Sequence, residues 1–164
     1  MQNEEILLKQ VQELAAKVNG EVEESNGQLI LKIHGRHLLD VLNAAINFEE
    51  TPCEFLHDLT ALDLGDHFEA VYQLTSLHGP QQLRVKAIID RDNPVIDSVT
   101  RIWEGANFLE REAYDMFGIE FRGHPNLKRI YLWSGFKGYP LRKDFVPESA
   151  EERSIVHKHA DFEE

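Results

Sequence analysis

Two neighbouring stretches of strict alternation constrain this chain more than anything else in it. From His67 to Leu77, Phe68, Ala70, Tyr72 and Leu74 alternate with His67, Glu69 and Gln73. From Gln81 to Asp90, Leu83, Val85, Ala87 and Ile89 alternate with Gln82, Arg84 and Lys86. A period of two places one set on each face of a strand, so each strand has one face for a core and one for water. His78-Gly79-Pro80 joins the two strands, and Leu64-Gly65-Asp66 joins the first to an earlier strand over about 53–62. The result is an antiparallel meander that needs helices on one side only.

The rest of the chain supplies those helices. Ile6, Leu7, Val11, Leu14, Ala15 and Val18 form one stripe of a helix over about Glu4–Asn19, with Asn3 as its cap and Gly20 as its stop. Asn26-Gly27 lies between two short strands, Glu21–Ser25 and Gln28–His34, and predicts a tight hairpin. A second helix is expected over Arg36–Phe48, ended by Pro52, and a short third one from Pro94 with Val95, Val99, Ile102 and Trp103 inward. A fourth begins at Asn107, with Asn107 and Glu110 as a capping box and Gly118 as its stop. After Phe121 the periodicity is lost among Gly123, Pro125, Gly135, Gly138, Pro140 and Pro147. The expected fold class is α+β: a mostly antiparallel sheet covered by helices on one side, then an extended C-terminal tail. The expected division is an α/β body over 1–121 and a basic, aromatic tail over 122–164.

Charge is distributed unevenly between these parts. The net charge is −12, yet residues 122–143 hold six cations and no acid, so the remainder carries −18. Such a block predicts a segment that meets an acidic neighbour. An acidic body argues against nucleic acid as a partner, although Tyr131, Trp133, Phe136 and Tyr139 interleave with the cations. Large aromatics with Arg and Lys also describe the core of a protein–protein interface. The single cysteine, Cys53, excludes an internal disulfide, and this chain alone cannot ligate an iron–sulfur cluster with four thiolates. Its expected state is a buried, inert thiol. No apolar run approaches the roughly 20 residues of a spanning helix. The opening MQNEEILLKQ is too acidic for a secretory signal or a mitochondrial presequence. The expected location is therefore the cytosol, or a membrane reached through partners.

Chemistry-bearing residues concentrate after Leu109. Glu110, Glu112 and Asp115 with His124 are the residue types of acid–base or metal chemistry. However, HExxH, a nucleophile elbow and a phosphate loop are all missing, and carboxylates beside Arg111 are expected to stay ionised. Arg111 and Asp115 are four apart and can pair along the helix. His34 with His37, and His157 with His159, are weak candidates for a metal; a turn and a polar end explain them as well.

Two ordered motifs in this stretch carry a resemblance. The first is Glu110-Arg111-Glu112, Asp115, Met116-Phe117, His124, Lys128-Arg129 and Ile130-Tyr131. The second is Gly138-Tyr139-Pro140-Leu141-Arg142-Lys143-Asp144-Phe145. Together they resemble the 30 kDa (C-type) subunit family of respiratory complex I, the proton-pumping NADH:quinone oxidoreductase, in a short stand-alone prokaryotic form. Two departures stand out: Val146 precedes Pro147 where the family commonly has Asp-Phe-Pro, and Tyr139 replaces a frequent His.

The resemblance implies a scaffold subunit of the peripheral arm with no cofactor of its own. Iron–sulfur clusters, flavin and quinone would sit in partner subunits. The implied partners are the quinone-site subunit (the 49 kDa, or D, type) and the iron–sulfur subunits of the B and I types, on the cytoplasmic side of the membrane. Glu110, Arg111, Glu112, Asp115, His124, Lys128 and Arg129 would fix the junction of body and tail. Pro140, Leu141, Arg142, Lys143, Asp144 and Phe145 would dock the tail, with Arg142 available for a bidentate carboxylate contact. Related F420H2 dehydrogenases and energy-converting hydrogenases carry an equivalent subunit, and other chains set the electron donor.

Overall fold

The computed structural model describes residues 2–147. Its elements, in chain order, are α1 (Gln2–Val18), β1 (Glu21–Ser25), β2 (Gln28–His34), α2 (Leu38–Ile46, entered by a 3-10 turn Gly35–His37), β3 (Phe55–Asp63), β4 (His67–Thr75), β5 (Gln82–Asp90), β6 (Val95–Asp97), α3 (Ala106–Phe117) and β7 (Glu120–Arg122). His157 and His159 lie outside the described residues.

β3, β4 and β5 form the expected antiparallel meander, and β1–β2 the expected hairpin. Asn26 and Gly27 take φ values of 52° and 75°, the left-handed pair that a two-residue turn requires. The joint between the two units is parallel: Leu29 to His34 of β2 run beside Leu83 to Ile88 of β5, giving the order β1-β2-β5-β4-β3. The fold is α+β with a mixed, mostly antiparallel sheet.

Alternation makes the core. Phe68, Tyr72 and Leu74 of β4, Leu83 and Val85 of β5, and Leu31 of β2 are fully buried together with Leu38, Val41 and Leu42 of α2. Burying each of the larger of these side chains contributes about 1.5–3 kcal/mol. One opposite-face residue departs from expectation. Glu69 is 1% exposed, because Lys32 Nζ approaches its carboxylate at 3.0 Å and Lys86 Nζ at 3.4 Å.

Three local expectations are corrected. Helix α1 already includes Asn3, so Asn3 is not its cap, and Asn19 (φ 51°) rather than Gly20 takes the left-handed stop. Gly20 serves packing instead: a Cβ there would lie 2.9 Å from the Lys32 carbonyl oxygen. The segment after Pro94 is a strand, not a helix. β6 pairs in parallel with β7, and Ile96 and Phe121, register partners, are both 2% exposed. The Pro94 carbonyl, free of any helix, accepts from Glu120 N–H at 2.8 Å. Only turns follow before the next helix, the first closed by Trp103 N–H to Val99 O at 2.9 Å. Third, α3 starts at Ala106 behind Gly105, and its Gly118 stop (φ 70°) is as expected. β7 runs to Arg122, across the expected 121/122 boundary, and residues 123–147 form neither helix nor strand.

Candidate functional site: the junction of the third helix and the tail

Asp115 is the centre of the junction. It is fully buried near the C-terminal end of α3. Its Oδ2 accepts the main-chain N–H groups of Ile130, Tyr131 and Leu132 at 3.0, 2.8 and 3.0 Å, and its Oδ1 accepts from Arg129 Nη1 at 2.9 Å. Burial alone would raise its pKa; the three N–H donors and the guanidinium outweigh burial and hold it below the ordinary value. The expected Arg111–Asp115 pair does not form. Arg111 instead donates to the carbonyl oxygens of Lys128 and Arg129, at 3.0 and 3.4 Å. Arg129 continues to Gly138 O at 3.0 Å and lies over the Tyr139 ring at 5.1 Å. Glu112 accepts from the Tyr131 hydroxyl at 3.2 Å.

Glu110 behaves differently. No part of it is exposed, and it accepts from Val99 N–H at 2.6 Å and from Ser98 Oγ at 2.7 Å. It forms no capping box, because its side chain reaches the β6–α3 loop. Burial pushes its carboxyl up to about 7, against the opposing pull of those two hydrogen bonds. The expectation that this carboxylate stays firmly ionised is therefore corrected: Arg111 turns to the carbonyls of Lys128 and Arg129, and no Lys or Arg among the described residues pairs with Glu110. His124 lies closest, with Nε2 3.9 Å from Glu110 Oε2. His124 Nδ1 accepts from Asn126 N–H at 3.0 Å, so the proton sits on Nε2 and is donated to Asn107 O at 3.1 Å. Both side chains are wholly buried, which closes the pair to any substrate.

The second motif returns to the body. Arg142 donates through Nε to Phe117 O and through Nη2 to Gly118 O at 3.4 Å. It thus binds two carbonyls at the negative end of α3, not a carboxylate, and its guanidinium lies between the rings of Phe68 (5.1 Å) and Tyr139 (4.7 Å). Leu141 N–H donates to Met116 O at 3.1 Å, with Pro140 just before it. Lys143 contributes its main chain, donating to Asp63 Oδ2 at 2.8 Å. Asp144 pairs with Arg91 at 3.0 Å, and Phe145 stacks on Phe136 with centroids 5.9 Å apart.

Sequence reasoning missed the body's half of this junction. Asp63 receives Arg91 Nη1 at 2.6 Å and Gly65 N–H at 2.8 Å as well as Lys143. Its signal was present: Leu59, Ala61 and Asp63 share the inward parity of β3, and a charge at inward parity needs a partner. Ser98, which donates to Glu110, carries no comparable signal.

Among the described residues, no group of three or more His, Cys, Asp or Glu is placed to hold a metal. No described helix is long and apolar enough to cross a membrane. What the junction does instead is to consume charge in shape. Phe108, Tyr131, Trp133, Leu141 and Val146 remain outside, from 44% to 82% exposed.

The fold defines a class of subunits found in respiratory membrane complexes. A solved trypsin-resistant fragment of Nqo5 is similar in fold, at 30% identity and a TM-score of 0.61, over 73% of this chain and 98% of that one. So is a chain of the membrane-bound sulfane sulfur reductase, an archaeal respiratory membrane complex, at 25% identity and a TM-score of 0.72, over 100% of this chain and 96% of that one. The chain belongs to the family described as respiratory-chain NADH dehydrogenase, 30 Kd subunit, whose profile matches residues 31–151. Among its relatives, the C subunit of the NADH-quinone oxidoreductase of Moorella thermoacetica is 48% identical over 59% of this chain and 67% of its own length. The C subunit from Citrifermentans bemidjiense is 41% identical over 74% and 76%. The match to the C 2 subunit of the Rhizobium etli oxidoreductase, 50% identical, spans 56% of this chain and half the length of that protein.

Proposed function

We propose that this chain is a structural, non-catalytic subunit in the peripheral arm of a proton-pumping NADH:quinone oxidoreductase. It holds neighbouring subunits in register while electrons pass to quinone through clusters and flavin bound elsewhere. The observation that carries this reading is the inward turn of the motif charges. Asp115, Arg129 and Arg142 are spent on fixing the tail and Glu110 on the β6–α3 loop, and the tail in turn presents Tyr131, Trp133, Leu141 and Val146 outward. Such a surface fits a lasting protein contact. Its partners in this reading are the quinone-site subunit and the iron–sulfur subunits of the B and I types, on the cytoplasmic side of the membrane.

A second reading is favoured by the likeness to a chain of the sulfane sulfur reductase, which extends over the whole of this chain. In it the same scaffold serves a related complex, such as an F420H2 dehydrogenase or an energy-converting hydrogenase. Affinity purification from gently solubilised membranes, followed by mass spectrometry, tests both. Quinone-site and iron–sulfur subunits with NADH-oxidising flavoprotein support the first; the same set with a hydrogenase or another donor module supports the second. Recovery of the chain alone overturns both. Leu141→Glu with Val146→Glu should abolish the co-purification while leaving the isolated chain folded, because both side chains point outward.

A further inference from the structure

Among the described residues, α1, α2 and α3 share one core with the inward-facing residues of the five-stranded sheet; the other face carries a groove of its own. Gln28 of β2, Thr60 and Leu62 of β3, Val71 and Gln73 of β4, and Arg84 and Lys86 of β5 line it, and it holds about 470 Å³. Its composition is unlike the acidic protein around it. Two cations face a single carboxylate, Asp58, and Asp58 already accepts Leu59 N–H at 2.9 Å. Arg84 gives only its Nε, to Gln73 Oε1 at 3.1 Å, so both terminal NH2 groups lack a partner among the described residues. Lys86 leans on Glu69 at 3.4 Å, a long contact that leaves donors over. Leu62 is 40% exposed beside these groups.

A half-buried guanidinium with two unpaired NH2 groups is shaped for a carboxylate, which it binds in two-pronged fashion. The amides of Gln28, Gln73 and Gln82 can each donate to and accept from a peptide backbone. Leu62 and Val71 supply apolar contact. The chain carries a net charge of −12, so outside the basic segment 122–143 this groove is a local exception that attracts rather than repels acidic chains. We propose that the open sheet face docks an extended acidic segment of a neighbouring subunit, one carboxylate of which is held by Arg84 with Lys86 beside it. This rests on the reading of the chain as a subunit of a larger complex.

Cys53 makes a clean test available. It is fully buried and its thiol is pushed up to about 12 by burial, so it stays silent to maleimide. Thr60→Cys places a reactive thiol in the groove, Val146→Cys one on the tail, and Gln12→Cys one on the outer face of α1 as a control; all three positions are exposed. Labelling rates are compared between the isolated chain and the purified complex. The proposal expects Thr60→Cys to slow at least tenfold in the complex while Gln12→Cys keeps its rate. It further expects Arg84→Glu, but not Arg84→Lys, to restore the labelling of Thr60→Cys. Full reactivity at Thr60→Cys with protection at Val146→Cys overturns the groove and leaves the subunit reading intact. Reactivity at both overturns the two together. Protection that survives Arg84→Glu overturns the acidic occupant.

Discussion

In the sheet, Leu31, Leu74, Leu83 and Val85 are fully buried, and apolar contact from α1 and α2 holds the strands. In the tail, from Gly123 to Pro147, position is fixed by Asp115, Asp63, Arg129 and Arg142, which bind main-chain groups far away in sequence. Burial is nondirectional and tolerates small shifts; a carboxylate holding three N–H groups tolerates almost none. The body therefore owes its stability to hydrophobicity, and the tail owes its path to a few charged atoms. Removing either kind of contact should fail in a different way.

The largest effect is expected at Asp115. Asp115→Ala removes the counter-charge of Arg129 and leaves three N–H groups unpaired, a cost of about 3–5 kcal/mol for breaking a buried pair. Hydrogen exchange should accelerate at Ile130, Tyr131 and Leu132 and leave β4 and β5 protected; equal acceleration in the strands would erase the distinction. Leu83→Ala, in the sheet, should cost about 3 kcal/mol by urea denaturation. Here the whole chain should unfold together, with no selective release of the tail.

A third contrast lies in pH. Glu110 binds its proton more tightly in the folded protein, about 7 against an ordinary 4.5. Its contribution is complete below pH 4.5 and is lost as pH rises through 7, a fall of about 3 kcal/mol. Asp115 and Asp63 are held below the ordinary carboxylate value, so their contribution is present at neutral pH and is lost on acidification. Glu110→Gln should flatten the decline between pH 5 and 8 in urea titrations and leave the acid limb unchanged. The smallest effect should come from Lys143→Ala, within about 0.5 kcal/mol. Only the main chain of Lys143 meets Asp63, so a large loss on truncation would mean that its ammonium group matters to the fold as well.

Local features were legible in the sequence and long-range ones were not. Asn26-Gly27, the alternation of β4 and β5, and the Gly118 stop depend on neighbours in the chain, and each lies where expected. The parallel pairing of β2 with β5 depends on distant partners, which no local pattern encodes. The strand at Val95–Asp97 was hidden because Val95, Val99 and Ile102 mimic a helical stripe, whereas β7 is what makes it a strand. At the junction, the sequence shows that Arg142 is a cation but not that two carbonyls of α3 await it. Glu110, flanked by Arg111, reads as ionised until its burial is seen.

The parallel joint between β2 and β5 also sets an order of events. Hairpin β1–β2 can close early, since Ser25 and Gln28 are already neighbours. Its second edge stays open until β3, β4 and the whole of β5 have been made, because Leu29 awaits Leu83. Closing so long a loop is slow, and an unpaired edge is an invitation to other chains. During synthesis this protein should pass through a sticky interval, which ends only when its fifth strand leaves the ribosome.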